Sequence, residues 1–285
     1  MTLSQAPHSL GRAVVLGGGG VTGISWEIGV LAALHQAGVD VHAAQAVFGT
    51  SAGAFVGAAL ASGSDLNRLY AAQLIQSETE VPATASSETM DAWSGAFMTG
   101  GSDPERVGAA MGAVARAHPE PVPAAERRRA VEGRLVTSEW PGTLRITAIN
   151  ADSGALHVFG PSSGVSLIDA VSASGAVPGV WPLVRIGAHS YIDGGMVSAT
   201  NTRLANGYGR VLVLAPLPEG YGAIPGATEE VQAMSAAAAV LLISPDDESR
   251  ADIGPNIYDP RRRGLAAEAG WRQGAALAAT VLAFW

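Results

Sequence analysis

The chain has 285 residues, 48% of them hydrophobic and 15% charged, with a formal net charge of −8 and no cysteine. That length buries a full core without staples, and the missing cysteine removes disulfides, thiolate metal sites and cysteine nucleophiles together. The acidic balance argues against nucleic acid as a partner and against simple electrostatic docking on an anionic membrane.

Residues 1–11 read as a loose arm, without the basic start and continuous apolar core of a signal peptide. The longest apolar runs, residues 235–243 and 274–285, are too short to span a bilayer, so a cytoplasmic protein is expected.

Ala13-Val14-Val15-Leu16 is a short buried-type strand that runs directly into Gly17-Gly18-Gly19-Gly20-Val21-Thr22-Gly23. Ile24, Ile28, Leu31 and Leu34 then recur at helical spacing, and Gly38 closes that helix. The loop offers bare N–H groups at a helix start, which suits either of two functions. One is a dinucleotide site, with Gly18-x-Gly20-x-x-Gly23 as fingerprint and Asp40 near the place of a ribose-binding acid. The other is an oxyanion hole for acyl transfer. A glycine-rich turn without a ligand is the third reading. A Walker loop is excluded, because Ile24-Ser25 stands where Lys-Ser/Thr should follow Gly23.

Residues 41–48 read as a second strand and residues 52–61 as a small, apolar helix, with Gly49-Thr50-Ser51-Ala52-Gly53 between them. Glycines two places either side of Ser51 suit a sharp strand-to-helix elbow that exposes a nucleophilic hydroxyl at a helix N-terminus. Alone, the pentapeptide is equally well an ordinary N-cap serine. Parallel packing of the two βα units would bring both glycine turns to one crevice, and an acyl-transfer site needs both whereas a dinucleotide site does not need Ser51.

Residues 66–74 and 104–117 suggest helices, and residues 77–101, rich in Pro, Ser, Thr and Gly, suggest a cap over the crevice or a helical insertion. Glu126-Arg127-Arg128-Arg129 reads as a solvated helix face. Residues 144–150 and 155–159 form a hairpin across Asp152-Ser153-Gly154, residues 166–174 a helix, and residues 183–186 a short strand. Tyr191-Ile192-Asp193-Gly194-Gly195 ends an apolar run on a carboxylate with room around it, although an Asp-Gly-Gly turn explains it as well. Residues 211–215 are one more buried strand. Beyond them the chain mixes loops with helices, the last over 265–284, and Arg261-Arg262-Arg263 reads as surface.

A serine nucleophile needs a proton acceptor within hydrogen-bond reach. No histidine follows His189, so a triad of Ser51, Asp193 and a later histidine is impossible. Asp152 with His157, and Asp169 with His189, remain formally open. The simpler assignment is a dyad in which Asp193 takes the Ser51 proton, in a pocket dry enough to raise its pKa.

Four stretches, GGGGVTGISWEIGVLAAL, GTSAGAFVGA, ASGAVPGVWPLV and YIDGG, make the chain resemble the patatin-like phospholipases, including their bacterial members. The resemblance covers about residues 12–63 and 144–216. It implies a three-layer α/β/α fold with a mainly parallel central sheet, a Ser51–Asp193 dyad and an oxyanion hole at Gly18, Gly19 and Gly20. Gly23, Gly49, Gly53, Gly194 and Gly195 support the motifs. It further implies a lipid or acyl-ester substrate, transient contact with a membrane surface, and neither metal nor organic cofactor. Residues 12–285 are then one domain, with 64–140 a variable helical insertion or lid and 217–285 a mainly helical region. Where many members of that family carry Arg or Lys before the last glycine of the first motif, Thr22 stands here. Phospholipid loses a natural cationic partner, and a neutral acyl ester or lysolipid is served equally well. The rival readings are a nucleotide-binding protein and a catalytically silent relative that binds lipid.

Overall fold

The structure is a computed structural model that describes residues 11–76, 80–118, 122–234, 236 and 238–285. The expected arm, apart from Gly11, and residues 77–79 of the expected cap lie outside the described residues. Strand β1 (Arg12–Leu16) leads into α1 (Gly20–Gln36), and β2 (Ala46–Thr50) into α2 (Ala52–Ala61). Four helices follow: α3 (Leu66–Gln73), α4 (Ser87–Gly100), α5 (Pro104–Ala117) and α6 (Ala124–Arg134). The hairpin β3 (Leu144–Asn150) and β4 (Leu156–Phe159) precedes α7 (Leu167–Ser174), β5 (Val184–Ile186) and β6 (His189–Asp193). The chain closes with β7 (Arg210–Leu214), α8 (Ala227–Gln232), β8 (Ala239–Ile243), α9 (Asp247–Ile253) and α10 (Arg263–Phe284).

Among the described residues one sheet runs β5-β6-β3-β2-β1-β7-β8, with β4 also on β3. The pairs from β3 to β8 along this order are parallel, and β4, β5 and β6 join antiparallel. The apolar run of β1 is buried on both faces because the pleat sends Val14 and Leu16 into the cluster with α1, α2 and α10. Ala13 and Val15 go instead into the opposite cluster with Ala205 and Met234. This is the expected three-layer α/β/α sandwich with a mainly parallel sheet.

Helix α1 is buried almost all round, from Val21 to Leu34, because it is wedged between the sheet and α10. The two helices meet through glycine: a Cβ on Gly270 would stand 2.1 Å from the Trp26 carbonyl oxygen. Parallel pairing places the carboxyl ends of β1 and β2 on one edge of the sheet. The register then fixes the third functional strand end. Thr50 lies opposite Thr147, and Ala148 lies opposite Asp193, so Asp193 is level with the residue that follows β2.

Two elements differ from the sequence reading. The second strand starts at Ala46 rather than 41, because residues Val41–Ala43 close a 3₁₀ turn in which the Ala43 N–H donates to the Asp40 carbonyl. Residues 217–285, read as loops and helices, contain β8, a parallel partner of β7. Its AVLLI is too short to show a period, and the alanine-rich stretch before it favours helix. Among the described residues no helix is long and apolar enough to cross a membrane.

Candidate active site

Ser51 occupies the turn between β2 and α2 at φ 53° and ψ −113°. A non-glycine residue holds a positive φ only where the surroundings impose it. Here they do. A Cβ on Gly53 would stand 2.1 Å from the Leu16 carbonyl oxygen, and the Gly53 N–H donates to the Gly17 carbonyl at 2.9 Å, so α2 starts hard against the end of β1. The Ser51 N–H donates to Ser174 Oγ at 2.8 Å. Ser51 sits at the N-cap, yet its side chain makes no capping bond. The hydroxyl points elsewhere.

It donates to Asp193 Oδ2 at 2.5 Å. The other carboxylate oxygen, Oδ1, accepts the Gly195 N–H at 2.7 Å. Asp193 is 2% exposed, and burial pushes its carboxyl up to about 7, while bonds from Ser51 and Gly195 and the charge of Arg127 restrain the rise. Beneath the pair, Thr50 and Thr147 share a hydroxyl bond of 2.8 Å, and Asn201 Nδ2 donates to Thr50 Oγ1 and the Gly194 carbonyl.

The glycine loop abuts the serine: a Cβ on Gly18 would lie 3.7 Å from Ser51 Cβ. The three expected donors are not equivalent. Gly18 N–H is committed to the Ala199 carbonyl at 3.0 Å, whereas the N–H groups of Gly19 and Gly20 have no partner among the described residues. Gly20 adopts φ 59°, and a Cβ there would meet the Ile257 carbonyl oxygen at 2.6 Å. Thr22 is fully buried and its N–H and hydroxyl both donate to that same carbonyl, so it faces away from the pocket.

The pocket around Ser51 is walled by Phe55, Val81, Arg127, Arg134, Trp181 and Tyr258, among others, and encloses about 20 Å³. That is room for a water-sized group. The Tyr258 phenol is pushed upward by burial and by the Asp193 charge, so it stays a protonated donor. A second, wider cleft of about 700 Å³ opens between Asp103, Glu105, Arg203 and Glu229 and holds neither Ser51 nor Asp193. Among the described residues no group of three or more acids or histidines is placed to hold a metal.

Two readings of charged runs need correction. Glu126, Arg128 and Arg129 are exposed as expected, but Arg127 is 7% exposed and lines the pocket. Helical spacing carries the signal: Arg127, Ala130, Val131 and Arg134 share one face of α6. Arg263 is likewise buried, donating to Gln73 Oε1 and the Ile75 carbonyl. Ser174 and Trp181 lie in the ASGAVPGVWPLV motif, which assigns neither a role, and Tyr258 carries no sequence signal.

The rival constellations are not assembled. Asp40 precedes β2 instead of ending it, at the sheet edge opposite the glycine loop, so the acid required by a dinucleotide site is missing there. Asp152 pairs with Arg116, and Asp169 with Arg128, while His157 packs on Phe159 and Tyr191. None of these lines the Ser51 pocket.

A three-layer sandwich whose second βα turn carries such a serine is the architecture of a class of lipid acyl hydrolases. The chain belongs to the patatin-like phospholipase family, whose model it matches over residues 14–206. No curated protein matches it in sequence. Similar solved structures include VipD from Legionella pneumophila, at 14% identity and TM-score 0.47, covering 96% of this chain and 67% of that one. The type III effector ExoU is similar at 18% identity and TM-score 0.42, covering 96% of this chain and 54% of that one. ExoU in complex with SpcU from the Pseudomonas aeruginosa type III secretion system is similar at 16% identity and TM-score 0.42, covering 97% of this chain and 53% of that one. The chain thus spans about half the length of the ExoU chains.

Proposed function

We propose that this protein is a serine acyl hydrolase that cleaves a carboxylic ester bond of a lipid. Ser51 Oγ attacks the ester carbonyl carbon as its proton passes to Asp193 Oδ2. The carbonyl oxygen becomes an oxyanion, which the unpaired Gly19 and Gly20 N–H groups receive, with Gly18 holding the loop in place through Ala199. Collapse breaks the bond to the alcohol oxygen, and Asp193 returns the proton to that leaving group. Water then attacks the acyl-serine, its proton goes to Asp193, and the carboxylic acid departs with Ser51 restored.

The observation that carries this reading is the 2.5 Å bond from Ser51 Oγ to Asp193 Oδ2 inside a buried pocket. Side chains too far apart for a hydrogen bond would instead have favoured a catalytically silent relative. A carboxylate raised to about 7 is partly ionised at neutral pH and basic enough to accept a serine proton, which an ordinary aspartate is not. In this reading residues 12–285 act as one domain. The 64–140 insertion supplies Val81, Arg127 and Arg134 to the pocket wall as its cap, and the 217–285 region supplies Tyr258. We further infer that the enzyme works in the cytoplasm and touches membrane lipid transiently.

The test uses p-nitrophenyl esters of graded chain length and a fluorophosphonate probe. Ser51→Ala is expected to lose at least about a thousandfold in kcat/KM, and the probe to label Ser51 alone. Wild-type rates in Ser51→Ala, or a failure of Ser51 to label, would remove the reading.

A further inference from the structure

Three arginines gather beside the Ser51 pocket, and two of them make an ion pair with one shared carboxylate. Arg134 pairs with Glu80, and Arg263 Nε lies 4.0 Å from the same carboxylate. The third does not. Arg127 makes no ion pair among the described residues, and its Nη1 is buried without a hydrogen-bond partner. Its guanidinium lies 4.0 Å over the Trp181 ring, which fixes the plane of the fork. Burial pulls its pKa down to about 9, so it still carries its charge at neutral pH.

A buried cation without a counter-ion is costly, and a protein that keeps one has in general a use for it. Glu80 and then Asp193 act on Arg127 through space, neither by a direct bond. Nη1 therefore keeps an unused donor, on a side chain that lines the same pocket as Ser51. Planar guanidinium N–H groups match the oxygens of phosphate and carboxylate and have little to offer a neutral alcohol.

We propose that Arg127 is a specificity residue that binds an anionic group, phosphate or carboxylate, carried by the substrate next to the ester that Ser51 attacks. This rests on the acyl-hydrolase reading for the identity of the bond cleaved, and on Arg127 alone for the charge of the ligand. The rival role is purely electrostatic, with Arg127 acting only on the ionisation of Asp193.

The experiment has a binding arm and a kinetic arm. In the first, Ser51→Ala protein is titrated calorimetrically with octyl phosphate, octanoate and neutral 1-octylglycerol, with and without Arg127→Gln or Arg127→Lys. Octyl phosphate or octanoate is expected to lose roughly ten- to hundredfold in affinity with Gln, to regain part of it with Lys, and to lose far more than octylglycerol does. Which anion binds more tightly separates the phosphate source from the carboxylate source. In the second arm, the wild type and Arg127→Gln hydrolyse a lysophosphatidic acid and the monoacylglycerol of the same chain, and the charge preference should collapse mainly through KM. Equal losses for anionic and neutral ligands, or a shifted pH profile without lost discrimination, would overturn the proposal. Arg127-dependent anion binding in a protein whose Ser51 proves dispensable would instead sink the hydrolase reading and leave the anion site standing.

Discussion

Ser174 Oγ, at the end of α7, accepts the N–H of Ser51 at 2.8 Å across a sequence separation of 123 residues. This bond ties the strained elbow to a helix on the far side of the pocket, and Ser174 is fully buried. Removing the hydroxyl leaves a buried N–H unpaired, which costs about 1–3 kcal/mol. Ser174→Ala is therefore expected to melt lower by roughly 3–8 °C. It should also lower kcat more than it raises KM, because the nucleophile loses its support. Melting within about 1 °C of wild type, followed by circular dichroism, would count against that role.

Asp193 makes activity and stability respond to pH in opposite senses. As the proposed base it must be ionised, so kcat/KM should rise about tenfold per unit up to about pH 7 and level off above. Its folded-state pKa lies above the unfolded value, so the folded protein binds more protons between about pH 4 and 7, and stability falls as pH rises through that window. Asp193→Asn should abolish the rate profile and remove part of the stability slope. An acid limb centred near pH 4 would show that the catalytic base is another group.

Glu27 is fully buried in α1, and among the described residues neither carboxyl oxygen has a hydrogen-bond partner. The nearby Gly17 N–H is already given to the Leu214 carbonyl at 2.9 Å. Burial raises the Glu27 pKa well above its ordinary value, so this side chain too favours the folded state at low pH and weakens it as pH climbs through the raised pKa. Glu27→Met should gain roughly 1–3 kcal/mol at pH 8 and less at pH 5, measured by urea unfolding at both. Destabilisation at both values would mean that the carboxyl has a partner.

Helix α10 is held so close to α1 that Gly29 of α1 and Gly270 of α10, at the contact, tolerate no side chain. A Cβ on Gly29 would stand 2.2 Å from the Ala267 carbonyl oxygen, and one on Gly270 2.1 Å from that of Trp26. Gly270→Ala should cost about 1–3 kcal/mol or more by forcing the helices apart, although alanine is the better helix former. Because α1 begins at the glycine loop, probe labelling of Ser51 should slow in the folded variant as well. Unchanged stability would show that the two helices can separate cheaply.

Much of the site was legible in the linear chain, and for a local reason. An apolar run into glycines, a serine framed by Gly49 and Gly53, and an aspartate followed by Gly194 and Gly195 each mark a turn through adjacent residues, although the backbone of Ser51 is held by distant ones. The hairpin at residues 144–159 and the helix 104–117 are of the same kind, since turn chemistry and apolar period act over a few positions. Pairing is another matter. That Gly18 spends its N–H on Ala199, that Ser174 receives the N–H of Ser51, and that β8 extends the sheet all depend on partners far along the chain.

The amino-acid sequence by itself carried the βα units, through apolar runs and glycine placement that act locally, and the α/β/α class through the family resemblance of its motifs, with Ser51 and Asp193 as candidates within them. Only the tertiary structure decided which charges lost their water. Arg127 and Arg128 are neighbours in an identical run, and the turn of α6 leaves one in solvent while it stacks the other on Trp181 with no ion pair among the described residues. Desolvation depends on everything packed around a group, and it is desolvation that raises the Asp193 carboxyl and makes the Arg127 charge costly to keep.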